Sequence, residues 1–167
     1  MKRKLLAVAL PIMLVAGVGC SKDASESKTD SLEVAETDNQ EVSNSKAEKE
    51  YKSKLNSLMK DITKESLVLK EVITSDKSIK EKEEEYREKS KALLEITDKV
   101  IELDPGKKYN DVQNTVKDAM YELKGGISST KNGLIMKDKG VVQQGADSFT
   151  KASDLLLEAD KKMKNIK

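Results

Sequence analysis

An all-α fold, an antiparallel up-and-down bundle of four helices, is predicted for residues 46–167 by three features of the sequence. Apolar side chains recur there at intervals of three, four and seven, the spacing that lines one face of an α-helix. Turn and capping signals cut that pattern into four lengths. No stretch alternates apolar and polar residues long enough to form a strand.

The segment before the bundle has a different character. Lys2, Arg3 and Lys4 precede an apolar run from Leu5 to Val18, about 14 residues interrupted by Pro11, which is short of the roughly 20 that a spanning helix needs. Ala16, Gly17, Val18 and Gly19 then supply small residues just before Cys20, the only cysteine in the chain. Charge, short apolar core and small residues in that order are the pattern of a secretory signal that is cut.

The stretch around Cys20 resembles the lipobox of bacterial lipoproteins, although Gly17 stands where leucine is usual. The resemblance implies that residues 1–19 are removed between Gly19 and Cys20. It further implies that the Cys20 sulfur carries a diacylglycerol, that the freed amino group is open to further acylation, and that the protein sits on the outer face of the cell membrane. Two acyl chains hold a protein stably where one holds it only marginally. No other cofactor is expected.

Residues 20–45 are expected to be a disordered acidic tether. From Ser21 to Ser45 there is no Pro, Gly or aromatic residue, and Lys22 and Lys28 face seven carboxylates. Such a segment buries too little apolar surface to offset the entropy of ordering it. Loss of Lys2, Arg3 and Lys4 also turns the formal balance of 31 basic and 30 acidic residues from +1 to −2. The mature chain thus lacks the basic field that nucleic-acid binding needs.

The bundle follows, with helices expected at 46–74, 78–103, 105–136 and 139–166. Ser45 and Glu48 have the spacing of a capping box and mark the first start. Its stripe is Tyr51, Leu55, Leu58, Ile62, Leu69 and Ile73. Ser78 and Glu81 repeat that spacing before Ile79, Tyr86, Leu93, Ile96, Val100 and Leu103. Asp104 as cap and Pro105 in the first turn are expected to open the third helix, with Tyr109, Val112, Val116, Met120, Leu123, Ile127 and Leu134 on its stripe. The Lys137-Asp138-Lys139-Gly140 stretch reads as the last turn. Val142, Ala146, Phe149, Ala152, Leu156, Ala159, Met163 and Ile166 line the fourth helix. Short turns between long amphipathic helices enforce the up-and-down order.

One stretch of the bundle stands out. Gly125 and Gly126 are adjacent inside a helical pattern, each costing about 1 kcal/mol relative to alanine. If they break the third helix, a three-helix reading stays open. Otherwise Gly126, Ser129, Thr130 and Gly133 lie near one face, which admits a close neighbour, kinks the helix, or forms an interaction face for a partner.

Catalytic groups are scarce. The chain has no His, and lipidation would occupy its one thiol, which removes the usual general base, zinc ligands and nucleophile. No enzyme activity and no metal are expected. Glu65, at the edge of the first stripe, is read as a rim residue, and three of the four tyrosines as core. Lipobox, polar tether and lysine-rich helical domain together look like the small helical lipoproteins of unknown function in Gram-positive bacteria. The expected function is a lipid-anchored, non-catalytic interaction module for an unknown protein or cell-wall partner. The alternative is a carrier or chaperone that takes a small apolar ligand or peptide between its helices.

Overall fold

The computed structural model describes the backbone of residues 38–166 and the side chains of 46–166. Signal segment, Cys20 and most of the expected tether lie outside the described residues. Four long helices make up the fold: α1 (Asp38–Thr74), α2 (Ile79–Ile101), α3 (Asn110–Met136) and α4 (Lys139–Asn165). Each packs chiefly on the next in the chain. The architecture is the all-α four-helix bundle that the periodicity predicts, and α3 runs unbroken through Gly125 and Gly126.

Two helix starts differ from expectation. α1 begins at Asp38, so residue 45 lies within the helix and does not cap it. Nothing in residues 38–45 stops a helix, and extending an existing one carries no nucleation cost. The second difference lies before α3. Gly106 takes a left-handed φ of 63°, and its amide donates to the Asp104 carboxylate at 2.9 Å. Asp104 therefore closes a tight turn and caps no helix, a 3-10 turn follows at Lys107–Tyr109, and α3 starts at Asn110.

The other boundaries obey their signals. Ser78 accepts from the Glu81 amide, and the Glu81 carboxylate accepts from the Ser78 amide at 2.9 Å, a complete capping box. Lys137, at φ 55°, ends α3 in a left-handed residue, and the Asp138 amide donates back to the Gly133 carbonyl. Asp138 then caps α4 through the Gly140 and Val141 amides.

The core is a column in which α3 is the most enclosed member. Every apolar residue expected on its stripe is buried. Tyr86, Leu93 and Val100 supply α2's share, seven residues apart, and Tyr51, Leu55, Ile62, Leu69 and Val72 supply α1's. Ile79 is 44 % exposed, as the first residue of α2, beside the turn that joins it to α1 at the end of the bundle. On α4 only Gly145, Ala152 and Ala159 are fully buried, again seven apart. Facing them, Val112, Ala119, Gly126 and Gly133 form a matching row on α3. Small residues on both sides let these two backbones approach more closely than any other pair in the fold.

Candidate functional site

The face expected from Gly126, Ser129, Thr130 and Gly133 is occupied from within the chain. A Cβ on Gly126 would stand 3.0 Å from the Gly145 carbonyl oxygen and 3.1 Å from the Phe149 ring. A Cβ on Gly133 would come within 2.6 Å of the Val142 amide nitrogen. Gly126, Thr130 and Gly133 are buried and Ser129 is half-buried. The neighbour these residues admit is α4, so they offer no face to an outside partner.

Where α1 meets the start of α3, a polar knot joins three helices. The Tyr51 hydroxyl donates to Gln113 Oε1 at 2.8 Å, and Gln113 Nε2 donates to the Val100 carbonyl oxygen at 2.8 Å. The Tyr51 and Tyr109 rings stack with centroids 5.6 Å apart, and the Lys52 ammonium lies 4.9 Å from the Tyr109 ring centroid. A Lys108–Glu48 pair closes the outside. Both polar ends of the buried Gln113 amide are satisfied, so the knot fixes register between α1, α2 and α3 and leaves no group free for chemistry. Gln113→Leu removes both bonds and strands the Tyr51 hydroxyl; urea unfolding should show a loss of about 1.5 kcal/mol.

A second tyrosine is placed differently. Tyr86 is fully buried, and its hydroxyl is the one buried side-chain polar atom among the described residues without a hydrogen-bond partner. Burial pushes its phenol up to about 12, and the Thr130 hydroxyl beside it counters only part of that rise. Tyr121, the fourth tyrosine, is 58 % exposed, so three of the four are core, as the stripes require.

The remaining candidates are surface groups. Glu65 is half-buried at the rim with Lys64 4.0 Å away. Most ion pairs join residues three or four apart on one helix and are exposed, including Lys54–Glu50, Lys99–Glu95 and Lys164–Asp160. Pairs of that kind add little to stability. No group of His, Cys, Asp or Glu converges as a metal site among the described residues, and none of their helices is long and apolar enough to cross a membrane.

The surface is otherwise uneven in a way that the stripes do not announce. Twelve residues of α2 are exposed, and all but Ile79 and Ala92 are charged. Ten residues of α3 are exposed, and only Asp111 and Asp118 are charged. The rest of that outer face is Asn110, Asn114, Tyr121, Gly125, Ser128, Asn132, Ile135 and Met136. Ile135 and Met136 are 57 % and 65 % exposed. Nothing lies within 4 Å of where a Gly125 Cβ would be, so no contact within the chain requires this glycine. The signal was present in the sequence as a run from Asn110 with few charges, but an apolar stripe search passes over it.

No curated protein and no solved structure matches the chain. Residues 44–160 match the model of a domain of unknown function, DUF7018, and because that match takes in most of the sequence, the chain belongs to this family.

Proposed function

We propose that the protein is a lipoprotein anchored through Cys20 to the outer face of the cell membrane, and that its bundle is a non-catalytic interaction module. The observation that carries the module reading is the outer face of α3, weakly charged and bearing exposed Tyr121, Ile135 and Met136 on an otherwise ionic surface. Exposed apolar residues gathered on one face mark contact sites more often than scattered ones do. The anchor reading is supported by the order of Lys2 to Lys4, the short apolar core, the small residues and Cys20.

Residues 1–37 lead into the amino end of α1, on the side of the bundle where Tyr51 meets Tyr109. The chain turn that precedes α4, and with it Met136, lies at the opposite end. An anchor at Cys20 thus enters the bundle at the end opposite Met136.

Fractionation of cells tests the anchor. Cys20→Ala should move the protein from the membrane to the soluble fraction without changing its helical circular dichroism, and retention in the membrane would refute the anchor. The module is tested by a photo-reactive residue in place of Ser128, with one in place of Glu95 on the charged face of α2 as control. A discrete adduct at residue 128 and none at 95 is expected.

A further inference from the structure

We infer that α3's outer face pairs with the same face of a second copy of this chain, the two α3 helices running parallel about a twofold axis along their length. This deepens the interaction-module reading and rests on it, because it names the occupant of that face.

Helix periodicity sets the register. Asp118, Gly125 and Asn132 recur every seven residues along the middle of the face, with Asn114, Tyr121, Ser128 and Ile135 beside them. Gly125, exposed and unconstrained, costs its own helix about 1 kcal/mol relative to alanine, and on this face it opens a place for a facing backbone or ring. Asn132 in such a row specifies pairing of like with like.

The edges decide orientation. On the α2 side, Lys117, Lys124 and Lys131 recur at the same period, all half-buried. Lys124 reaches Asp98 of α2 at 2.5 Å, whereas Lys117 and Lys131 have no carboxylate within 4.0 Å among the described residues. On the α4 side stands Glu122, 2.5 Å from Lys151. An antiparallel pair would set the lysine edge of one copy against the lysine edge of the other. A parallel pair sets each lysine edge against the edge of its partner that carries Glu122, with Lys117 beside Glu122 of the other copy. The two Asp118 carboxylates would then meet between the two Lys117 ammonium groups. Lys162 of α4 also lies near Asp111 and Asp118: its pKa is raised first by the Glu158 hydrogen bond and then, among smaller causes, by these two carboxylates.

The face from Asn114 to Met136 is roughly 33 Å long at the helical rise and one helix wide. That is less than the approximately 800 Å² a side of a standard interface, so the pair is weak in dilute solution. Two copies in one membrane gain from confinement.

Cysteine crosslinking of the full chain tests the inference, with Gly125→Cys, Asn132→Cys and the control Glu95→Cys made singly in cells. Each is an exposed position, so the fold tolerates the change. Cys20 is kept in each, because its lipidated sulfur offers no free thiol and the anchor supplies the confinement on which the pair depends. Mild oxidation should give disulfide dimers at 125 and at 132 at least tenfold above the yield at 95, since only a parallel pair brings both residue 125 and residue 132 to their own copies. Lys117→Glu should lower the yield about fivefold, and adding Glu122→Lys should restore it. Equal yields at all three positions, or no response to the charge swap, overturn self-pairing. A photo-adduct at residue 128 that contains a different protein overturns this inference and leaves the module reading standing, whereas absence of any adduct there removes both.

Discussion

Gly145→Ala is expected to lower stability by about 2 kcal/mol, whereas Gly125→Ala raises it by about 1 kcal/mol. The substitution is the same, and both glycines lie within helices. What differs is the space. A Cβ on Gly145 would overlap the Thr130 hydroxyl oxygen and stand 2.9 Å from both the Gly126 carbonyl oxygen and the Thr130 amide nitrogen. Two of those three neighbours are backbone of α3 and cannot rotate away, so α4 must shift. Forcing an extra carbon into packed structure costs about 1–3 kcal/mol, and the higher helix propensity of alanine returns only about 1 kcal/mol when no neighbour has to move. The displaced helix also loosens the rows that Ala152 and Ala159 fill, which places the net loss near 2 kcal/mol. Gly125 meets nothing within 4 Å, so there the propensity gain stands alone. Urea unfolding of the two variants beside the parent chain checks both signs at once. A neutral Gly145→Ala would mean that α4 is not held against α3 as closely as the small-residue rows imply.

That contrast shows what the sequence makes legible and what it hides. Tyr109, Val112, Val116, Met120, Leu123, Ile127 and Leu134 stand out because each is apolar and each is enclosed by neighbouring helices. The Ser78–Glu81 box and the Lys137–Gly140 turn stand out because capping is local chemistry, settled within a few residues. Gly145 is hidden: its contribution is an absent side chain, and a periodicity search assigns its place to Ala146, which the fold leaves half-buried. Of the adjacent pair, only Gly126 faces α4, a distinction that depends on which neighbour each residue meets. The early start of α1 at Asp38 is hidden for another reason, because a polar segment can continue a helix without any apolar stripe to mark it. Among the candidate site residues, burial of Gly126, Thr130 and Gly133 selects the close-neighbour reading over the interaction face, and the face left open is the one whose distinguishing property is a lack of charge.

The second large effect is alkaline. Stability should hold up to about pH 10 and fall between pH 10 and 12, with Tyr86 alone contributing a loss of roughly 2–3 kcal/mol by the upper end. An unfolded tyrosine gives up its proton near pH 10. In the folded chain, burial pushes the Tyr86 phenol up to about 12, and burial, together with the neighbouring Tyr109, raises the Tyr51 phenol as well. Between those values the folded state keeps protons that the unfolded state has released, so rising pH draws the equilibrium toward unfolding. Below pH 10 both states hold the proton and the term vanishes. Exposed ammonium groups titrate nearby: hydrogen bonds to Glu95 and Glu158 hold Lys99 and Lys162 above the usual lysine value, so those pairs weaken in the same range. Tyr86→Phe separates the contributions. It deletes a hydroxyl that has no partner, so the variant should be at least as stable as the parent at pH 8, and its urea midpoint should fall less steeply above pH 10. Tyr51→Phe behaves differently, because its hydroxyl donates to Gln113: that variant should lose stability at pH 8 and also show a shallower alkaline decline. If Tyr86→Phe and the parent declined in parallel from pH 10 to 12, with tyrosinate absorbance rising before unfolding, the Tyr86 hydroxyl would have to be reached by solvent in the folded bundle.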